Sequence, residues 1–151
     1  MRILLAAVFA SSVLVAVRVP AQDSETKEAL QNLPPAVQQA VKEQGQGATL
    51  RGLAKEVKDG VTLYEAEMTV DGRNKDILFD GQGNVVSVEE QTTLSEIPGA
   101  ARAVIQKAVG VGKLVLVEKV TEGKTTFYEG HIANGGKVSE VKVDANGKPV
   151  D

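Results

Sequence analysis

"YEAEMTVDGRNKDILFDGQGNVV", residues 64–86, sets the architecture. Apolar side chains fall at every second position through Tyr64, Ala66, Met68 and Val70, and again at Ile77 and Phe79. A period of two is that of a strand with one buried face. Asp71-Gly72 separates the two runs. Glycine there supplies the positive φ of a two-residue hairpin turn. The next turn, Asp80 to Asn84, poses a choice, because Asp80, Gln82 and Asn84 could offer oxygens to calcium. A calcium loop also needs glycine at its sixth position and a carboxylate at its twelfth. Counted from Asp80, those positions are Val85 and Gln91. The segment therefore reads as a turn, with the Asp80 carboxylate on nearby backbone N–H groups and Gly83 left-handed.

The same pattern returns 64 residues later as "YEGHIANGGKVSEVKVDANGKPV", residues 128–150. Upstream, "LPPAVQQAV" (33–41) matches "IPGAARAVI" (97–105) at the same offset, and "EVKDG" (56–60) matches "KVTEG" (119–123) at 63. Such self-similarity marks a tandem duplication, covering about residues 33–87 and 97–151. Each copy opens with proline at the start of a helix, where its missing N–H is harmless. Val37, Ala40 and Val41, and later Ala101, Val104, Ile105 and Ala108, form one helical face. Strands are expected near Thr49–Val57, Val61–Val70, Arg73–Asp80 and Asn84–Glu90 in the first copy. In the second they are expected near Lys113–Thr121, Lys124–Ala133, Lys137–Asp144 and Lys148–Val150. "SETKEALQN", residues 24–32, offers Ser24 and Thr26 as caps for a short extra helix. The expected class is α+β: a tandem repeat of a helix plus a four-stranded antiparallel meander, with the helices on one face of the sheet. The copies would form one continuous or closely abutted eight-stranded surface. Their boundaries are expected at 22–91 and 92–151.

Residues 1–21 read as a secretory leader: Met1-Arg2, then the uncharged run Ile3–Val17, then Val19 and Ala21 before a cleavage point. The run is short for a membrane span, so the remaining chain is expected in the periplasm or outside the cell, without membrane attachment. It keeps 15 basic against 20 acidic side chains. That balance disfavours nucleic acid as a partner. With no cysteine in the chain, disulfides, thiol chemistry and Cys-bound zinc are excluded.

Catalytic groups are sparse. His131 is the only histidine, and no serine lies in a nucleophile-elbow context. "GVGK", residues 110–113, follows a helix and enters a strand, the reverse of a phosphate loop. The chain is expected to be no enzyme and to carry no cofactor and no metal. The alternation assigns Tyr64 and Tyr128 to the core and turns a second face outward. Partner-binding candidates on that face are Leu63, Glu65, Glu67, Leu78, Phe127, Glu129, His131 and Lys142. Leu63, Leu78 and Phe127 among charges would make it a docking surface.

The repeated unit, with its Leu/Ile-Pro helix start, Tyr-Glu strand, glycine hairpin and "FD-x-x-G" or "VD-x-x-G" turn, resembles the PepSY-like family, related in fold to the β-lactamase-inhibitor proteins. That resemblance implies an exported bacterial protein without catalytic residues that binds or inhibits another protein through its open sheet face. The expected function is a non-catalytic binding module for a protein or peptide, acting on a secreted or periplasmic hydrolase or peptidase. The alternative is a small-ligand or cation-binding envelope protein.

Overall fold

A computed structural model describes residues 24–58 and 60–150. The leader reading of residues 1–21 lies outside them. Strand β1 is Ser24–Lys27. A 3₁₀ turn, Leu30–Asn32, leads to helix α1, Pro35–Gln44. Four strands follow: β2 Thr49–Lys58, β3 Val61–Val70, β4 Arg73–Phe79 and β5 Val85–Gln91. Helix α2 is Gly99–Val109, and β6 Lys113–Glu122, β7 Thr125–Asn134 and β8 Lys137–Val143 complete the order.

The expected class is overturned. The molecule is not a tandem pair of helix-plus-four-strand units. All eight strands belong to one antiparallel sheet, ordered β1 to β8, with two helices laid on it. The eighth strand comes from Ser24–Lys27, where a helix was expected, and pairs with β2 from Ser24↔Val57 to Lys27↔Ala54. A short helix must fix several residues for its first hydrogen bond. The outer edge of β2 offers a row of unpaired backbone groups instead. Residues Lys148–Val150 form no strand; Pro149 makes one isolated bridge to Val143, and the Val150 N–H bonds the Lys142 carbonyl at 3.1 Å.

The registers of β3–β4, β6–β7 and β7–β8 follow from two-residue hairpins, closed by Val70↔Arg73, Glu122↔Thr125 and Asn134↔Lys137. Pro34 and Pro98 precede the helices with the same backbone angles, φ −53 and ψ 142. Under α1, Val37 and Val41 meet Leu53, Ala66, Met68, Ile77 and Phe79. Under α2, Ala101 and Ile105 meet Val117 and Val143. Tyr64 and Tyr128 pack against these two clusters, as the alternation implies. Full burial of a side chain such as Ile77 or Phe79 is worth about 1.5–3 kcal/mol. Val88 pairs with Ile77 on one side and Thr121 on the other, so both helices lie on one face and leave the other bare. Among the described residues, no helix is long and apolar enough to cross a membrane.

The acidic turns are architectural. Asp80 Oδ1 accepts the backbone N–H groups of Gln82 and Asn84 at 2.9 Å, and Oδ2 accepts Asn84 Nδ2 at 2.8 Å. These bonds, the Asn84 side chain first, hold the Asp80 carboxyl below its ordinary range. Asp144 Oδ1 likewise accepts the Asn146 and Lys148 N–H groups at 2.8 Å. Each turn lies against the start of a helix: a Cβ on Gly83 would meet the Ala36 carbonyl oxygen at 2.6 Å, and one on Gly147 the Ala100 oxygen at 2.9 Å. Gly72 has the same positive φ with open space around it. Gly83→Ala should therefore lower stability by about 2–3 kcal/mol, through strain plus clash, and Gly72→Ala by only about 1. Urea unfolding of the two variants checks this, and equal midpoints would contradict it.

Candidate functional site

The helix-free face is built in rows, because residues paired across an antiparallel ladder point the same way. One row runs Ala54, Glu65, Leu78, Ser87, Glu122. The next runs Gly52, Glu67, Asp76, Glu89, Val120, Phe127. A third runs Gln91, Glu118, Glu129, Lys142, and beyond it Leu116, His131, Glu140. Glu56, opposite Leu63, adds another carboxylate. Like charges side by side on neighbouring strands repel, and two cations, Arg51 and Lys142, with the His131 imidazole answer them unevenly.

Arg51 reaches this face at the bulge between Leu50 and Gly52. Its Nη2 lies 2.8 Å from Asp76 Oδ1, its Nη1 lies 3.7 Å from Glu67 Oε2, and its Nε donates to the Met68 carbonyl. At the other end Lys142 Nζ lies 2.9 Å from Glu129 Oε1 and 3.7 Å from Glu140 Oε2. His131 Nε2 lies 2.9 Å from Glu118 Oε2 and 3.8 Å from Glu129 Oε2.

Between these ends lies a depression of about 290 Å³ lined by Glu56, Glu65, Leu78, Ser87, Glu89 and Lys142, among others. There the carboxylates press on one another. Burial raises Glu65 to about 8, and Glu56, Asp76, Glu67 and Glu89 all push the same way. Burial likewise raises Glu89 to about 7, with Glu118, Glu129 and Asp76 adding to it and Lys142 opposing. Burial also raises Asp76, against the pull of Arg51, and Glu118, against the pull of His131. A larger depression, about 490 Å³, lies by Arg73, Lys75, Glu90 and Lys119. Most of its charges are paired: Arg73 with Glu96 at 3.0 Å, and Glu90 with Lys75 and Lys119.

All eight sequence candidates lie on the helix-free face, in different roles. Glu65, Glu67, Leu78 and Lys142 are half-buried and reachable. Leu63 and Phe127 are not docking contacts: they are only 8% and 4% exposed, with Val120 at 1% beside Phe127. The face presents charge with apolar residues sunk beneath it. Glu129 is also buried, at 4%, and pairs with Glu118, at 3%, a residue that sequence reasoning missed. The signal was there: the Gly123 hairpin closes at Glu122↔Thr125, and counting back four places puts Glu118 opposite Glu129. Glu89 and Glu56 were missed too. The β5–β6 pairing that places Glu89 among these carboxylates has no local signal.

No family model and no curated protein matches this chain. Solved structures do. A protein of Bacteroides eggerthii provisionally described as periplasmic superimposes with a TM-score of 0.63 at 18% identity, over 79% of this chain and 86% of that one. A DUF2874 family protein of Bacteroides uniformis gives 0.60 at 20% identity, over 78% and 86%. A BLIP-like protein of Bacteroides fragilis gives 0.56 at 21% identity, over 79% and 84%. The chain has a BLIP-like fold; the narrower PepSY-like reading rests on the sequence motifs.

The raised carboxyls make stability depend on pH. Glu65 and Glu89 hold protons in the folded chain at pH values where the unfolded chain, with carboxyls near 4.5, has lost them. Their contribution is present in full below about 4.5 and is lost as pH rises toward 7 and 8. Glu96, held down to about 2 by Arg73 first and then Thr93, opposes this: its contribution is present above about 4.5 and is lost as pH falls toward 2. Melting curves should therefore show highest stability near pH 5. Glu65→Gln should raise the melting temperature at pH 8.5 by about 3 °C and leave it unchanged at pH 4. A wild-type optimum at pH 8 would contradict the assignment.

Proposed function

We propose that the chain is an exported, non-catalytic binding module whose helix-free sheet face takes a basic segment of another protein. The observation that carries this is the depression in which Glu65 and Glu89 stand with Glu56 and Leu78, where burial first, and the carboxylates around them second, suppress the ionisation of both. An arriving Lys or Arg side chain would relieve that repulsion and let both groups ionise. Glu65 stands on β3 and Glu89 on β5, and neighbouring strands lie about 4.8 Å apart. A separation of two strands, roughly 10 Å, matches an extended segment with several cations better than a single ion.

Export is supported by the leader pattern in residues 1–21 and by the Bacteroides eggerthii protein described as periplasmic. A role without catalysis is supported by the chemistry of the face: the chain's one histidine is held by Glu118 and not by a serine. The BLIP-like neighbour supports a protein as the occupant. Inhibition of an exported hydrolase or peptidase would follow where the basic segment borders that enzyme's active site.

A fluorescent 12-residue peptide rich in Lys and Arg serves as the probe. It should bind with an affinity that falls as salt rises and increases from pH 6 to 8.5 as Glu65 and Glu89 ionise. The double variant Glu65→Gln, Glu89→Gln should weaken binding about tenfold or more. Glu43→Gln, on the exposed side of α1, should leave binding unchanged. The double variant is expected to be more stable at neutral pH than the parent, so lost binding would not reflect unfolding. Equal weakening by both sets of changes, or no binding at about 1 mM peptide, where only about 4 kcal/mol would be at stake, would overturn the reading.

A further inference from the structure

At the β6–β7–β8 end of the same face, a second arrangement has chemistry of its own. Glu118 and Glu129 face each other across the ladder, and His131 stands two residues along on the same side. Both carboxylates are nearly inaccessible, at 3% and 4%. Glu118 Oε2, Glu129 Oε2 and His131 Nε2 point at one another, 2.9 Å and 3.8 Å from nitrogen to oxygen, and all three ligand atoms lie within 4.8 Å. We propose that Glu118, Glu129 and His131 form a binding site for one divalent first-row transition-metal ion of the zinc type. This inference does not depend on the basic-segment reading.

The distances suit such an ion. Zinc bonds oxygen and imidazole nitrogen at about 2.0–2.2 Å, so tetrahedral ligand atoms stand roughly 3.4 Å apart. The two nitrogen-to-oxygen separations, 2.9 and 3.8 Å, bracket that value, and the three ligand atoms lie within 4.8 Å of one another before any ion draws them in. The donor set also selects the metal. Calcium takes six to eight oxygens in an expanded shell, and magnesium keeps most of its waters. One imidazole with two carboxylates suits zinc and its neighbours in the series.

The surroundings hold the ligands as a metal site requires. Lys142 Nζ grips Glu129 by Oε1, at 2.9 Å, and leaves Oε2 turned toward the imidazole. Glu140 Oε1 lies 3.7 Å from His131 Nδ1, on the far side of the ring. A small movement of the Glu140 side chain would let it accept a hydrogen bond from Nδ1–H and leave Nε2 as the ligating nitrogen. Strands β6 and β7 each have neighbours on both sides, so the ligands stand on an interior part of the sheet. The His131 side chain is 19% exposed, which gives an ion an approach and leaves room for water as a fourth ligand. A dication would also answer two buried, opposed carboxylates that Lys142 neutralises only in part.

The test uses the chain lacking residues 1–21 and any polyhistidine tag, titrated with zinc chloride against a chromophoric chelator. One zinc per chain is expected, at micromolar affinity or tighter, with His131→Gln and Glu118→Gln each weakening it by about 30-fold and Glu140→Gln by about tenfold. Because His131 is the only histidine, its ring nitrogens give one pair of NMR signals in the unaltered protein. Zinc should shift Nε2 most, a result independent of whether any variant folds. Unmoved ring signals at saturating zinc, affinity unchanged by His131→Gln, or calcium binding there in place of zinc would each overturn the proposal.

Discussion

The backbone ladder between β5 and β6, from Ser87↔Glu122 to Gln91↔Glu118, is the constraint on which the rest depends. It turns two strand groups into one sheet and sets Glu89 beside Val120, one row from Glu118 and Glu129. Without it, Glu89 would stand on an edge strand, away from the push of Glu118 and Glu129. With it, carboxylates from seven strands, β2 to β8, share a surface that burial has partly dried. Interior strands cannot swing away from that crowding, since each is hydrogen-bonded on both sides. The repulsion is relieved by protons, by Arg51 and Lys142 at the margins, and in our account by a cationic partner and a metal ion.

The division of labour between the faces follows from alternation. One side of the sheet delivers Ala66, Met68, Ile77, Phe79, Val117 and Val143 to the helices, and that burial holds the chain together without a single disulfide. The other side is relieved of the duty of making a core and carries charge. Leu63, Val120 and Phe127 are exceptions: apolar side chains sunk among the acids, lowering the local dielectric and so strengthening the repulsion above them.

Much of this was legible in the sequence. The hairpins at Asp71-Gly72, Glu122-Gly123 and Gly135-Gly136 carry their turn type in glycine, and a two-residue turn fixes register. The proline helix starts and the Asp80 and Asp144 turns are equally local. What escaped was long-range. Ser24–Lys27 carries helix caps, yet becomes a strand because the edge of β2 is open to it. Leu63 and Phe127 share a strand face with glutamates two residues on and so read as exposed, whereas their burial depends on neighbours across the ladder. His131 looked isolated because its companions, Glu118 and Glu140, belong to the strands on either side.

The central claim is that this face withholds ionisation from its carboxyls until a cation arrives. Carbon-13 NMR of the glutamate side-chain carboxyls, followed against pH with and without the basic peptide, measures that directly. The account predicts that Glu65 and Glu89 titrate near 8 and 7 in the free protein and move down toward ordinary carboxylates when the peptide is bound. Midpoints near 4.5 for both in the free protein, or midpoints unmoved by the peptide, would contradict it.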